Sequence, residues 1–157
     1  MKSFVTSLYT LAFAALLTVQ FACNTSPESA MTTNLAEHPL IPRPASVTAG
    51  NGAFELDENT DIYVQGDAEA MMHAAQYLAD KLNPSTGLDV QVVSTEAAPD
   101  AGHIFLSTAA DDDQLGEEGY VLEITEDNVV LSAKTAEGIF RGIQTLRQLL
   151  PAGVEAK

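Results

Sequence analysis

Between Asp67 and Leu82 the apolar residues repeat with a helical period. Four of them recur at intervals of four, three and four residues, which places them on one helical face: Met71, Ala75, Leu78 and Leu82. Asp67 is the predicted N-cap, and Pro84 with Gly87 provides the stop. The segment is therefore predicted to form an amphipathic helix.

A second helix is predicted after Thr135, because another apolar stripe has the same period. Its members share one face and end before Pro151: Ile139, Phe140, Ile143, Leu146 and Leu150. Thr135 is the predicted N-cap. Gly138 and Gly142 lie on one side of this helix, where each glycine costs about 1 kcal/mol relative to alanine. We expect them to allow a close approach of the helix backbone to the sheet or to a neighbouring element.

Shorter apolar runs predict β-strands around these helices. Residues 54–56 and 62–64 flank a polar stretch, which predicts two short strands joined by a turn. Residues 90–93 and 104–106 predict two more strands. Residues 120–131 alternate between apolar and polar, turn at an acidic stretch and resume, which predicts a hairpin.

The order of these elements predicts an α+β fold. A strand pair, a helix, two strands, a hairpin and a final helix favour a mixed, mostly antiparallel β-sheet with two α-helices packed on one face. Three prolines between residues 39 and 44 predict an extended lead-in. The predicted domain therefore covers residues 39–151, and its size suits one hydrophobic core.

The first 22 residues resemble an export signal. Lys2 is the only charge before the apolar run 4–22, and Cys23 follows that run directly. This arrangement resembles a bacterial lipobox, in which the signal is removed and the cysteine is acylated, although Gln20 stands where such a motif usually has Leu. We predict a lipoprotein signal at 1–22 with lipid attachment at Cys23. An ordinary secretory signal and an uncleaved membrane anchor are the alternatives.

The predicted mature chain begins with a tether at residues 23–38. These residues are rich in Thr, Ser, Asn and Ala and show no helical or strand period. We therefore predict an exported protein, anchored by a lipid to the outer membrane and facing the periplasm or the cell surface.

Charge and cysteine content exclude some classes of protein. The formal net charge is -15, with 7 Lys and Arg against 22 Asp and Glu. Nucleic-acid binding depends on clustered basic residues, so it is not expected. Cys23 is the only cysteine, so no intramolecular disulfide can form and packing must hold the domain together.

Candidate catalytic and metal-binding groups are few. The three histidines, His38, His73 and His103, are far apart in sequence and show no metal-ligand spacing. Alternate positions of residues 57–61 carry Asp or Asn as in a calcium loop, but Ile62 replaces the required Gly. The acidic residues 111–113 could collect a cation, although hydration alone is favoured. We predict no catalytic residues, no metal and no cofactor.

One face of the second predicted helix is polar. Four residues lie opposite its apolar stripe: Arg141, Gln144, Arg147 and Gln148. They can form a solvated face, with the arginines near the negative helix end, or an interface with a further domain. Both interpretations stay open at this point.

Three segments resemble the N-terminal accessory domain of family-20 glycoside hydrolases. Residues 40–56, LIPRPASVTAGNGAFEL, are similar to its I-P-x-P lead and G-x-F-x-L strand. Residues 118–125 resemble its closing hairpin, and residues 136–151 resemble its helix with the pattern G-x-x-x-G-x-Q-T-L-x-Q-L. The resemblance covers nearly all of residues 39–151.

The resemblance implies a β-N-acetylhexosaminidase, which removes terminal N-acetylhexosamine from glycans or chitin-like oligomers. In that family the substrate acetamide attacks the anomeric carbon, a Glu protonates the leaving oxygen and the preceding Asp orients the acetamide, both within an H-x-G-G-D-E motif. This sequence has no such motif, and its one Asp-Glu dipeptide, Asp57-Glu58, lies in a predicted turn. We therefore expect residues 23–157 to be catalytically silent.

The expected partner is the catalytic barrel of the same polypeptide, through which alone a glycan would be bound. Residues 152–157 would begin the linker to it, so we expect either a truncated coding sequence or a barrel left out. The alternatives are a surface-tethered carbohydrate-binding or scaffold module, and the accessory domain of another glycosidase such as an α-glucuronidase. A binding module usually exposes aromatic side chains. This chain has no Trp and only Tyr63, Tyr77 and Tyr120 as candidates within the domain.

Overall fold

The computed structural model describes residue 35 and residues 39–66, 68–108, 110 and 115–155. Within them, five strands and three helices follow one another along the chain. In chain order they are β1 (Ile62–Gln65), α1 (Glu69–Thr86), β2 (Val92–Thr95), β3 (His103–Ser107), β4 (Tyr120–Ile124), β5 (Asn128–Ala133), α2 (Ala136–Leu149) and α3 (Ala152–Glu155). The predicted signal, tether and lipid-attachment site lie outside the described residues.

The five strands form one mixed sheet in the order β2-β1-β3-β5-β4. β1 pairs in parallel with both β2 and β3, and β3 pairs in parallel with β5. Only β4 and β5 are antiparallel, as the predicted hairpin requires. The α+β class and the mixed sheet are confirmed, but the prediction that most strand pairs would be antiparallel is wrong.

The parallel pairing of β1 with β2 has a topological cause. α1 connects β1 to β2, and a helical crossover returns the chain so that the second strand runs in the direction of the first. The prediction instead treated residues 54–56 as a strand paired with 62–64. Residues 53–57 form no strand, and Phe54 and Leu56 pack against the core from outside the sheet.

α1 and α2 pack on the sheet through the apolar stripes that the sequence predicts. On α1 the four predicted residues are all buried, and on α2 three of the five are: Met71, Ala75, Leu78, Leu82, Ile139, Ile143 and Leu146. They meet alternate residues of the three central strands: Ile62, Val64, Ile104, Leu106, Val129, Leu131 and Ala133. Burial of this continuous apolar cluster is the main stabilising contribution to the fold.

The helix ends agree in part with the prediction. The side chain of Thr135 accepts a hydrogen bond from the backbone N–H of Gly138 at 3.2 Å and caps α2 as predicted. For α1 the N-cap position belongs to Ala68, without a side-chain cap, and Asp67 lies outside the described residues. α1 also continues through Pro84 and ends at Gly87, whose φ of 79° gives the left-handed C-cap.

The two predicted contact glycines of α2 do lie against the sheet layer. A β-carbon on Gly138 would stand 2.5 Å from the carbonyl oxygen of Gly119 and 2.7 Å from Cβ of Ala133. A β-carbon on Gly142 would meet the side chain of Leu131. The expectation of close backbone approach is confirmed at both positions.

The lead-in segment, residues 39–42, is fastened to the end of α2. Leu40 is buried, and both backbone polar groups of Ile41 bond to the side-chain amide of Gln148, each at 2.9 Å. A few residues further on, α3 turns back to the end of α1, where the Ser85 hydroxyl donates to the carbonyl of Val154 at 2.5 Å. None of the helices in the described residues is long and apolar enough to cross a membrane.

Candidate docking surface between the helices

The four residues of the predicted polar face have different roles. Arg141 donates to the carboxylate of Glu118 at 3.0 Å, with both side chains more than half exposed. This hydrogen bond and the charge of Glu118 raise the pKa of the Arg141 guanidinium. An exposed pair of this kind contributes little to stability because water and salt screen it.

Arg147 reaches from α2 across to α1. Its Nη1 donates to the hydroxyl of Tyr77 at 2.5 Å and to Oε1 of Gln144 at 2.8 Å. Its guanidinium carbon lies 5.6 Å from the centroid of the Tyr77 ring, a cation–π distance. These contacts hold Arg147 and Tyr77 in a fixed mutual orientation.

Gln144 and Gln148 serve the domain itself. Gln148 binds the lead-in segment through Ile41 and also donates to the carbonyl of Gln144 at 3.2 Å. The amide nitrogen of Gln144 is buried and, within the described part of the chain, has no acceptor, while its oxygen accepts from Arg147. All four predicted interface residues therefore have partners within the domain, and those of Gln148 include the lead-in segment.

A groove runs between α1 and α2 on the side away from the sheet. We call it the helix groove; it has a volume of about 480 Å³ and is lined by Ala70, His73, Ala74, Tyr77, Glu118, Ala136, Glu137, Phe140 and Arg141. Small alanines from both helices line it, and Phe140 and Tyr77 stand together in it with ring centroids 5.4 Å apart. The lining therefore combines an aromatic pair with a charged rim.

Phe140 was predicted to belong to the core, and that prediction is wrong. Its side chain is 40% exposed, whereas the neighbouring Ile139 is fully buried. On a helix adjacent residues are about 100° apart, so Phe140 lies at the edge of the stripe and faces the groove. The signal was available in the sequence: at about 100° per residue Ile139, Ile143 and Leu146 fall within about 60° of one another, whereas Phe140 is about 100° from Ile139.

The basic residues of this acidic protein gather near the helix groove. The described residues include five Lys and Arg: Arg43, Lys81, Lys134, Arg141 and Arg147. Three of the five lie beside Tyr77 or Phe140, and Nζ of Lys81 is 5.8 Å from the centroid of the Tyr77 ring. The groove lining itself also carries Glu118 and Glu137, and its arginine, Arg141, is paired with Glu118.

The candidate chemical groups elsewhere have structural partners. One carboxylate oxygen of Asp57 accepts from the backbone N–H of Asn59 at 2.8 Å and from the hydroxyl of Thr60 at 3.3 Å, and the bond from Asn59 is the main cause that lowers the pKa of Asp57. Asp61 instead accepts from the N–H of Gln91 at 3.0 Å. Residues 57–61 thus form a turn in which these carboxylates have different partners.

The two histidines that the structure describes have different surroundings. His73 is exposed beside the helix groove, whereas Nδ1 of His103 accepts from the backbone N–H of Asp61 at 3.2 Å and its ring meets Tyr63 edge-on. Among the described residues, no three His, Cys, Asp or Glu side chains come together as metal ligands. His38 and residues 111–113 lie outside the described part.

The described residues thus form one mixed sheet with two helices on one face and a groove between those helices. The sequence matches the family described as glycosyl hydrolase family 20, domain 2, over residues 37–156. The chain belongs to this family. The match includes the whole of the predicted domain at 39–151.

Comparison with individual proteins agrees with the family match. The chain is 41% identical over 118 residues to a β-hexosaminidase of Porphyromonas gingivalis, covering 74% of this chain and 14% of the relative. It is 32% identical over 110 residues to a β-N-acetylhexosaminidase of Cellulomonas fimi, covering 69% and 22%. The chain therefore spans only about a fifth or less of the length of these relatives.

Solved structures show the same fold. The family-20 β-N-acetylhexosaminidase of Streptomyces coelicolor superimposes with a TM-score of 0.64 at 39% identity, over 73% of this chain and 22% of that one. A β-hexosaminidase of Streptomyces plicatus gives a TM-score of 0.66 at 39% identity, over 74% and 22%. This domain is thus a recurring part of family-20 enzymes.

Proposed function

We propose that this chain is the non-catalytic accessory domain of an exported β-N-acetylhexosaminidase. The observation that carries the proposal is the family match over residues 37–156, together with relatives that carry this activity in their names. Because the matched segment is a small fraction of each relative, hydrolysis is assigned to the remaining part of the enzyme. The accessory domain supports that part and does not itself bind the scissile sugar.

The proposal includes catalytic silence of residues 23–157. The only Asp-Glu dipeptide begins with Asp57, whose carboxylate is occupied within a turn by Asn59 and Thr60. Substrate-assisted hydrolysis needs an acid and an orienting carboxylate facing one sugar. The test is to supply a chromogenic N-acetylglucosaminide to the purified chain, with the Cellulomonas fimi enzyme as positive control. Release of the chromophore above background, at a rate proportional to chain concentration, would contradict silence.

We also propose export with lipid attachment at Cys23. The support is the apolar run 4–22 that ends directly before this single cysteine. The full chain, expressed in a Gram-negative host fed with radiolabelled palmitate, is expected to take up label and to fractionate with the outer membrane. Cys23→Ala is the matched control and is expected to stay unlabelled. A secreted, unlabelled wild-type chain cut elsewhere would instead indicate an ordinary secretory signal.

The helix face is proposed as the side that contacts the rest of the enzyme. Of the residues predicted for this role, Arg141 and Arg147 lie at or beside the helix groove, and Gln144 accepts a hydrogen bond from Arg147. Gln148 bonds instead to Ile41 and to the carbonyl of Gln144. An exposed aromatic side chain next to fixed arginines is typical of interface centres.

A further inference from the structure

Asn51 precedes a glycine in the exposed loop between the lead-in segment and β1. It is the only asparagine in the sequence that glycine follows. Residues 45–53 are all exposed, and Gly52 has a φ of 86°, in the left-handed region that favours glycine. Within the described part of the chain, neither Asn51 nor Gly52 makes a hydrogen bond. The side-chain amide of Asn51 and the backbone nitrogen of Gly52 are therefore open to reaction with each other.

An asparagine side chain reacts with the next backbone amide by closing a succinimide ring, a step that proximity within one chain favours. The backbone nitrogen of Gly52 attacks the side-chain carbonyl carbon of Asn51. The side-chain amide leaves as ammonia and takes the proton that the Gly52 nitrogen loses. Water then opens the ring: cleavage at the side-chain carbonyl gives aspartate, and cleavage at the main-chain carbonyl gives isoaspartate. Glycine has no side chain to obstruct the ring closure.

The other asparagines of the described residues are held in ways that oppose this reaction. Asn83 is followed by proline, which has no N–H, and its side chain bonds to both backbone polar groups of Val90 at 2.9 and 3.2 Å. Asn128 is followed by a β-branched valine, and its Oδ1 accepts from the backbone N–H of His103 at 3.0 Å. Asn59 is followed by a buried threonine whose backbone N–H is already donated to a carbonyl at 3.2 Å.

The reaction would also change how the loop is seated. A β-carbon on Gly52 would overlap the side chain of Glu126, with Cδ at 2.7 Å, so Gly52 lies directly against the turn between β4 and β5. Isoaspartate inserts a further carbon atom into the main chain and would move Gly52 out of this contact. Phe54 and Leu56 follow within a few residues and pack against the core, so the displacement would reach them as well.

We propose that Asn51 is a site of spontaneous covalent modification, at which the folded chain loses ammonia, becomes aspartate or isoaspartate, and releases the loop from the turn between β4 and β5. The reaction consumes water and needs no other reactant. It does not depend on the proposed hydrolase function.

The experiment incubates the purified full chain at neutral pH and follows each asparagine by peptide mapping with mass spectrometry. Asn51 is expected to lose its amide at least about tenfold faster than Asn59, Asn83 or Asn128, which requires only a small difference in barrier height. The same chain unfolded in urea gives the reference rate. Because an exposed loop needs no unfolding to react, the folded and unfolded rates at Asn51 are expected to agree within about threefold.

Chymotrypsin reports the state of the loop, because cleavage after Phe54 or Leu56 requires these half-buried side chains to leave the core. The incubated chain is expected to be cut there at least about threefold faster than fresh chain, since cleavage follows the population of the open form. Asn51→Gln is the matched control: it keeps an exposed amide but sets it one methylene further away, so ring closure is disfavoured and cleavage should not change on incubation. Asn51→Asp carries the new charge without the longer main chain and is expected to be cut more slowly than the incubated chain.

Three results would overturn the proposal. Retention of the Asn51 amide in the folded chain, with loss in urea, would show that the folded loop protects the site. Equal loss at Asn51 and Asn59 would remove the advantage of the following glycine. Isoaspartate at position 51 with unchanged chymotrypsin cleavage would show that the loop stays seated. None of these measurements involves glycoside hydrolysis, so each outcome leaves the proposed function untouched.

Discussion

Substitution of Gly138 by alanine tests how tightly α2 is seated. The new β-carbon would lie 2.5 Å from the carbonyl oxygen of Gly119 and 2.7 Å from Cβ of Ala133, both well inside van der Waals contact. A backbone oxygen cannot rotate away, so the helix or the loop before β4 must shift. We expect overpacking of this kind to cost about 2–3 kcal/mol, the upper part of the usual range. Alanine recovers about 1 kcal/mol of helix propensity, which leaves a net loss of about 1–2 kcal/mol.

The assay is urea unfolding of the full chain and of Gly138→Ala, with the m-value compared to confirm that only stability has changed. Gly153→Ala is the matched control, since Gly153 also lies in a helix and its added β-carbon meets nothing within 4 Å. The control is expected to be neutral or slightly stabilising. If Gly138→Ala unfolds at the same urea concentration as Gly153→Ala, the close seating of α2 is refuted.

Three further sets of substitutions probe individual contacts of the domain. Gln148→Leu removes both hydrogen bonds to Ile41, so it is expected to destabilise the chain by about 1–3 kcal/mol. The backbone amide of Ile41 is also expected to exchange faster, which hydrogen-exchange mass spectrometry would detect. Unchanged exchange would contradict the attachment of the lead-in segment to Gln148. The hydroxyls of Tyr120 and Thr145 are hydrogen-bonded at 2.5 Å, and Thr145→Val or Tyr120→Phe leaves the other hydroxyl without this partner. A double-mutant cycle is therefore expected to show a coupling energy of about 1 kcal/mol. Strictly additive effects on the free energy of unfolding would refute this hydrogen bond. The hydrogen bond from Asn59 holds the pKa of Asp57 in the folded chain below the unfolded value of 3.8. The ionised carboxylate therefore stabilises the folded chain above pH 3.8, and this stabilisation is lost as the pH falls through the pKa of the folded state. Asp57→Ala is expected to make the free energy of unfolding fall less steeply between about pH 5 and pH 2, and an unchanged pH profile would speak against this.

The helices were predictable from the sequence because their burial follows a single period. Met71, Ala75, Leu78 and Leu82 fall on one face and are all buried, and Thr135 occupies the cap that its position indicates. The spacing of apolar residues is enough to predict a helix when one face of that helix packs against a single hydrophobic core.

Strand pairing was harder to predict from the sequence, because it depends on contacts between residues that are far apart along the chain. Phe54 and Leu56 alternate like a strand and do pack on the core, yet no neighbouring strand pairs with them in the described sheet. Alternation reports burial on one side and says nothing about hydrogen bonding to a partner strand. The parallel pairing of β1 with β2 results instead from α1 as a crossover.

The candidate surface was predictable only in part. Arg141 and Arg147 were identified from the polar face of α2, but Tyr77, Lys81 and Phe140 needed the arrangement of two helices that are far apart in the chain. A helical pattern identifies which residues share a face; it cannot show which neighbouring element that face meets.

The clasp between Ile41 and Gln148 has a geometric consequence for any protein that includes this domain. Ile41 and Gln148 are 107 residues apart in the sequence, yet their two hydrogen bonds make them neighbours in space. The chain therefore leaves α2 beside the point where it enters the domain, so a disturbance of the lead-in segment reaches the last turn of α2 directly.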